Sequence, residues 1–220
     1  VLFAIDRAGL VGEDGISHHG LFDIAYLRTF PRMVLMAPKD GEELKQMLAF
    51  SLEVDHPTAV RFARGSAPAR LPGLDGSCSS PIELGKMEIL RHGTDGSILA
   101  YGHMVQTALD TADLLAAKGL EVEVVNGRFA KPLDEQGILA LADRHDRIMT
   151  LEDHSVLGGF GSAVLELCAA KGPVRARIDV AGVADEFVEH GSRAELLRQV
   201  GLDAESLAAR FLSRRPASVF

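Results

Sequence analysis

The sequence predicts an α/β protein built on parallel sheets, in two units joined by a linker. Apolar runs of strand length alternate with stretches of helical spacing, which is typical of a doubly wound sheet. Residues 65–81 contain three Pro, three Gly and four Ser and interrupt this alternation. Such a stretch indicates a connection between two units, and 220 residues suffice for one large or two modest domains.

Seven apolar runs supply the predicted strands. The first, Val1–Ile5, is apolar at every position and has no turn before it, which is typical of a strand buried on both faces inside a parallel sheet. We therefore expect a C-terminal piece of something longer, with a central strand at a true N-terminus as the alternative. The other runs are Met33–Ala37, Thr58–Phe62, Ser97–Tyr101, Glu121–Val125, Arg147–Leu151 and Val174–Val180.

The intervening stretches predict five helices. The first covers 41–54, with Asp40 as its N-cap and Glu43 three residues on, as in a capping box. The second covers 104–118 and ends at Gly119, which suits the left-handed position after a helix. The third covers 134–145, the fourth covers 160–171, and the fifth begins at Asp203.

These elements define the predicted domain boundaries. The first unit covers 1–65, and its three strands are too few for a complete domain of this type, which again indicates a longer protein. A linker covers 66–95, in which residues 82–90 and the turn at 93–96 predict a short strand pair. The second α/β unit covers 96–220.

Composition excludes several partner classes. The 31 acidic and 23 basic residues give a net charge of −8 without a basic stripe, which argues against nucleic acid and anionic membrane surfaces. No apolar run approaches the roughly 18 residues that a membrane span needs. Two cysteines, Cys78 and Cys168, cannot build a disulfide framework, so we expect a cytoplasmic protein, with Cys168 in the core.

Two arginines follow predicted strands. Arg7 comes after the first strand and Arg64 after the third, and ligands of open parallel sheets bind beyond the carboxyl ends of the strands. A guanidinium fork matches phosphate oxygens, so the pair predicts an anion clamp. The alternative is a surface ion pair of Arg7 with Asp6 or a nearby Glu.

A polar loop follows Arg7 and carries two further candidates. Asp14 and His18 lie four residues apart in it, and an imidazole can transfer protons near neutral pH while a carboxylate can accept hydroxyl hydrogens. The alternative for Asp14 is a simple turn with Gly15. His18 and His19 together predict no metal site, because adjacent side chains diverge and no third ligand stands at helical spacing.

Three other motifs at strand ends are interpreted as structural. Residues 158–161, Gly-Gly-Phe-Gly, follow a strand and open a helix, but they lie too late in the domain for a dinucleotide-binding loop. Their glycines would let the helix pack close to the strand. His103 and His154 are expected to be structural or interfacial residues.

Several of these segments occur together in a known family. DRAG at Asp6–Gly9, GEDGISHHG at Gly12–Gly20, RFARG at Arg61–Gly65 and LEDHSVLGGFGSAV at Leu151–Val164 resemble 1-deoxy-D-xylulose-5-phosphate synthase, a transketolase-like family. FD, AYLR, GRFAKPLDE and EHGSRAELL also fit, in the right order over nearly the whole chain. The chain departs from the family at Ile16, where Pro is usual, at His19 and at Phe62-Ala63.

The resemblance implies the end of a pyrimidine-binding domain followed by a transketolase-type C-terminal domain. It implies a thiamine-diphosphate enzyme that condenses pyruvate with D-glyceraldehyde 3-phosphate to 1-deoxy-D-xylulose 5-phosphate and CO2, for isoprenoid, thiamine and pyridoxal synthesis. Thiamine diphosphate and Mg2+ would be bound mainly upstream of Val1, so this chain alone would be inactive.

The same resemblance implies roles for individual residues. Arg7 and Arg64 would hold the acceptor phosphate, while Asp14 and His18 would contact its hydroxyl or carbonyl oxygens and help move protons. Residues 127–164 would serve packing and a homodimer interface. Alternatives are a transketolase, a 2-oxo-acid dehydrogenase β subunit, and a non-catalytic assembly module.

Overall fold

The computed structural model describes residues 1–66, 68–72 and 80–213. The linker predicted at 66–95 lies partly outside these residues, as do Cys78 and the last residues of the second predicted unit. The strands are β1 Leu2–Ile5, β2 Val34–Met36, β3 Thr58–Arg61, β4 Glu88–Arg91, β5 Ser97–Ala100, β6 Glu123–Asn126, β7 Phe129–Lys131, β8 Arg147–Ser155 and β9 Arg177–Val183. The helices are α1 Asp23–Leu27, α2 Gly41–Glu53, α3 Met104–Ala116, α4 Glu135–Arg144, α5 Phe160–Lys171, α6 Arg193–Gln199 and α7 Ala204–Leu212.

The first sheet has the strand order β1-β3-β2-β7. Both β1 and β2 run parallel to β3, as the apolar runs predict. The expectation that the first run lies inside a sheet is wrong for the described residues, because β1 forms an edge. No described strand covers that edge, so Phe3 is 46% exposed.

The fourth strand of this sheet comes from the second unit and was not predicted. Strand β7 pairs antiparallel with β2, with Leu35 opposite Lys131. The Lys131 ammonium donates to the carbonyl oxygens of Arg28 and Phe30 at 2.8 and 2.7 Å. At three residues, β7 is too short to show a period of its own. The two units therefore share a sheet.

The second sheet has the strand order β4-β6-β5-β8-β9, in which all pairs except β4–β6 are parallel. The predicted strand pair within the linker is wrong: the described residues there form one strand, β4, which adds to the open edge of β6. Strand β8 continues to Ser155 instead of ending at Leu151, because buried polar side chains conceal its last residues from an apolar pattern. Strand β9 begins at Arg177, three residues later than predicted, counted from residue 174.

Local sequence signals place the helix starts. Asp40 accepts the Glu43 N–H at 2.9 Å, as its predicted role as a cap requires, and Asp203, the predicted start of the last helix, accepts the Ser206 N–H at 3.1 Å. Helices α1 and α6 were not predicted, and with 5 and 7 residues they are too short for a clear apolar stripe. Cys168 is buried in the core, as predicted. None of the helices in the described ranges is long and apolar enough to span a bilayer.

A buried ion network joins α2 to the second unit. The Arg128 Nε donates to Glu43 Oε1 at 2.8 Å, and its Nη2 lies 2.9 Å from Glu88 Oε2. Lys39 bridges the same two carboxylates at 3.1 and 2.9 Å. All four side chains are nearly solvent-free, so each charge depends on its partners for compensation.

We predict that Arg128→Ala lowers the free energy of unfolding by about 3–5 kcal/mol, because it leaves two buried carboxylates with one cation. Denaturant unfolding measures the change. Arg175→Ala is the control, since Arg175 forms an exposed ion pair with Asp146 and its loss should not move the midpoint. Equal midpoints for the two variants would contradict the prediction.

Candidate functional site

A closed loop follows β1. The Gly9 N–H donates to the Gly20 carbonyl at 2.9 Å, and the Gly20 N–H donates back to Gly9 at 2.8 Å. Arg7, just before the loop, has a φ of 64°, in the left-handed region that non-glycine residues seldom adopt. Its N–H is held by Asp6 Oδ1 at 2.7 Å. This backbone conformation aims the Arg7 side chain at the loop.

Arg7 and Arg64 converge on one carboxylate. The Arg7 Nη1 donates to Asp14 Oδ2 at 3.3 Å, and the Arg64 Nη1 donates to the same oxygen. The three side chains are 41%, 47% and 32% exposed, so a ligand can reach them. The predicted convergence of the arginines is confirmed, and the ion pair of Arg7 is with Asp14 instead of the Asp6 side chain. Their substrate roles stay predictions.

The histidines of the loop point to different partners. His18 is exposed, and its Nδ1 lies 2.9 Å from Ser17 Oγ. His19 accepts the Val11 N–H on Nδ1 at 3.1 Å, and its Nε2 donates to the Glu189 carbonyl at 3.3 Å. His19 therefore ties the loop to the second unit. Among the described residues, no cluster of three or more His, Cys, Asp and Glu could hold a metal ion.

Arg61 is a site residue that sequence reasoning missed. It is buried, donates from Nε to Asp23 Oδ2 at 2.8 Å and from Nη2 to the Gly20 carbonyl at 3.2 Å, and lies 3.6 Å from Asp153. Burial opposes its charge, but Asp23 and Asp153 raise the pKa of its guanidinium. The signal that could have identified Arg61 in the sequence is the RFARG segment, which begins with it. Arg61 thus supports the end of the loop, while the half-exposed Arg64 donates to Asp14.

The second unit contacts the loop through Asp153. Gly9 has a φ of +75°, and a Cβ on it would lie 1.5 Å from Asp153 Oδ2, so only glycine fits. His103 Nε2 lies 2.6 Å from the Asp153 carboxylate, with Arg61 at 3.6 Å and Arg193 at 3.8 Å. Burial favours the neutral acid, but these groups hold the Asp153 pKa well below its usual range. Burial lowers the pKa of the His103 imidazole, and this effect exceeds the opposing effect of the Asp153 charge.

The glycines at 158–161 serve packing. Glu152 accepts the Phe160 and Gly161 N–H groups at 2.6 and 2.7 Å, so a protein carboxylate already fills the position that a dinucleotide phosphate would need. A Cβ on Gly159 would lie 2.4 Å from Glu152 Oε2. Burial raises the pKa of Glu152 to about 7, although the two N–H hydrogen bonds act in the opposite direction.

His154 has a structural role, as predicted. Its Nε2 accepts the Ile24 N–H at 3.1 Å, which places a proton on Nδ1, and that group donates to the Ser155 carbonyl at 2.7 Å. Burial and the nearby Arg61 charge lower its pKa to about 4. His154 therefore holds α1 against β8 only in its neutral form.

Two family models match the chain. The transketolase C-terminal domain matches residues 85–207, and the transketolase pyrimidine-binding domain matches residues 1–69. The 1-deoxy-D-xylulose-5-phosphate synthase 1 of Geobacter metallireducens is 49% identical over 96% of this chain, and the synthase of Thermomicrobium roseum is 49% identical over 97%. The chain spans 33% of the length of each of these relatives.

Solved structures agree on the fold. A split-gene transketolase, described as an inactive β4 tetramer, has a TM-score of 0.84 and 29% identity, covering 96% of this chain and 65% of its own. The transketolase of Campylobacter jejuni has a TM-score of 0.72 at 20% identity, covering 97% of this chain and 31% of its own. The second likeness concerns the fold alone.

We predict that His154 makes folding acid-sensitive. The unfolded histidine takes up a proton near its ordinary pKa of 6.5, whereas the folded one stays neutral until about 4. The stabilisation that His154 gives to the folded state is therefore complete above the pH range between these two pKa values. It falls by about 2 kcal/mol between pH 7 and pH 5. Glu152 contributes the opposite slope over part of this range, so wild type must be compared with His154→Gln.

The measurement is denaturant unfolding of both proteins at several pH values. The stability difference between wild type and His154→Gln should shrink towards pH 5, since the glutamine does not titrate. Parallel stability curves would show that His154 does not titrate differently on folding.

Proposed function

The chain belongs to the transketolase family, and we propose that it is the C-terminal part of a 1-deoxy-D-xylulose-5-phosphate synthase. That enzyme would condense pyruvate with D-glyceraldehyde 3-phosphate and release CO2. Two relatives carrying this name are 49% identical, and this chain corresponds to 33% of their length, so the activity belongs to the longer protein. The convergence of Arg7 and Arg64 on Asp14 carries the proposal at the level of residues.

Arg7 and Arg64 are the proposed binding groups for the acceptor phosphate. Both guanidinium groups are partly exposed and keep further N–H donors beyond the one directed to Asp14. A planar fork can bind two phosphate oxygens at once, which makes arginine more selective for phosphate than a point charge is. The Asp14 carboxylate keeps the two like charges side by side before substrate arrives.

Asp14 and His18 are the proposed contacts to the rest of the acceptor. Both lie on the closed loop between Gly9 and Gly20, whose ends are fixed by two backbone hydrogen bonds. Asp14 can accept a hydroxyl hydrogen, and the exposed His18 imidazole can exchange a proton with an aldehyde oxygen. Fixing these groups relative to the arginines orients the carbonyl of the acceptor.

Thiamine diphosphate is the cofactor of the proposed reaction and supplies its carbon–carbon bond chemistry. The described residues offer no cluster of metal-binding side chains, and we propose that Mg2+ and the diphosphate bind to the remaining part of the enzyme. The residues of this chain would bind the acceptor, orient it and move protons at its oxygens.

A homodimer is the proposed assembly. Large apolar side chains lie exposed on the first unit and near its junction with the second, and such surfaces mark interaction sites when they are contiguous. They are Phe3, Phe22, Tyr26, Phe30 and Phe187. The assembled enzyme would cover these side chains with the partner subunit or with its own N-terminal part.

We predict that Arg64→Ala in the full-length enzyme raises KM for D-glyceraldehyde 3-phosphate about 10- to 150-fold, because one charge-assisted contact contributes about 1.5–3 kcal/mol. Pyruvate decarboxylation should be largely kept. Steady-state kinetics with the phosphorylated aldehyde and with D-glyceraldehyde measure the effect, and KM for D-glyceraldehyde should hardly change.

An equal loss with both aldehydes would refute the phosphate role. A donor screen tests the reaction class: use of pyruvate supports the synthase, whereas use of ketose phosphates alone would identify a transketolase. A full-length protein that never binds thiamine diphosphate would instead be a non-catalytic assembly module.

A further inference from the structure

Two cavities meet at Arg64, and Arg193 lines both of them. A cavity of about 290 Å3 lies between the segment after β3 and the start of α3, where His103 lines it. A second cavity, of about 250 Å3, lies between Gly12–Glu13 and the start of α6. Arg193 is the first residue of α6, so the second unit places a third guanidinium beside the candidate site.

Two hydrogen-bond donors of the Arg193 side chain lack an acceptor in the described part of the chain. The Arg193 Nε and Nη2 are shielded from solvent and find no acceptor within the described ranges of the chain. Asp153 lies 3.8 Å from Nη2, beyond hydrogen-bond distance, and His103 is already 2.6 Å from that carboxylate. Glu195 on the same helix is bound to Ser192 in a capping box. Shielded donors without acceptors are unfavourable, and an anionic ligand would satisfy them.

The charge of the candidate site points the same way. Arg7, Arg64 and Asp14 together carry a net charge of about +1, whereas a phosphate monoester carries about −1.5 to −2 near pH 7. Glu13 on the wall of the smaller cavity adds a further negative charge. A third cation would bring the site closer to balance with the ligand, and Arg193 lines that cavity together with Arg64.

We propose that Arg193 binds the phosphate of the acceptor together with Arg64 and is a specificity-determining residue for phosphorylated aldehydes. This inference rests on the proposed function and adds the second unit to the substrate site. The weak ion pair with Asp153 holds the arginine beside the cavity without using its donors. Binding of the phosphate would therefore bridge the loop of the first unit and the start of α6.

Three variants of the full-length, cofactor-loaded enzyme test this role. Arg193→Gln removes the positive charge and the planar fork, whereas Arg193→Lys keeps the charge beside Asp153 and loses only the fork. Arg198→Gln is the matched control, because Arg198 lies on the same helix, α6, but lines neither cavity. We expect Arg193→Gln to raise KM for D-glyceraldehyde 3-phosphate about tenfold. KM for D-glyceraldehyde and for pyruvate should stay unchanged, and Arg198→Gln should match wild type.

Inhibition by glycerol 3-phosphate gives a readout that does not depend on turnover of the phosphorylated aldehyde. As a phosphate monoester without an aldehyde, it should compete with the acceptor, and its inhibition constant should rise about tenfold in Arg193→Gln. Arg193→Lys should show a smaller rise, because an ammonium cannot bind two phosphate oxygens in a plane. This variant also decides the question if the glutamine variant fails to fold.

The outcomes separate the two proposals. Unchanged inhibition in both Arg193 variants, with a large effect of Arg64→Ala, would overturn the role of Arg193 and leave the proposed function standing. Equal losses with both aldehydes would show that Arg193 acts only on structure through Asp153, which also overturns it. If the Arg64 and Arg193 variants lost no preference for the phosphorylated over the unphosphorylated aldehyde, the proposal of an anion site would itself be overturned.

Discussion

The candidate site depends on the contact between the backbone of Gly9 and the carboxylate of Asp153. A Cβ at this position would lie 1.5 Å from Asp153 Oδ2, so the loop of the first unit rests directly on a charge of the second. That charge is buried, and it is tolerated because Arg61 and His103 surround it. The position of the loop is therefore set by the packing of two units.

Two buried ion networks hold these units together, at different places. Arg61, Asp23 and Asp153 lie under the loop, and Glu43 with Arg128 lies on the side of α2. Buried charges contribute less net stability than apolar packing of equal size would, but they tolerate few alternative arrangements. We infer that the networks fix the relative placement of the units, which the proposed anion site, built from both units, would require.

Some of this arrangement could be predicted from the sequence, because it follows from local rules. Arg7 and Arg64 were found from their positions after parallel strands, and Asp40 from its spacing to Glu43. The crossing of β7 into the first sheet could not be found, since it depends on pairing with a strand distant in sequence. Arg61 was missed for a similar reason: only the folded chain shows that one arginine of RFARG is buried.

In the proposed site, Asp14 would have a double role that follows from its exposure. One of its oxygens accepts hydrogen bonds from both Arg7 and Arg64, which offsets the repulsion between these two neighbouring cations. Exposed ion pairs contribute only about 0–1 kcal/mol each, so a phosphate that binds more strongly can take over these donors at little cost. A buried carboxylate in the same place would hold the arginines too firmly. In the proposed reaction, partial exposure would therefore let Asp14 organise the site in the free protein and still turn to a substrate hydroxyl.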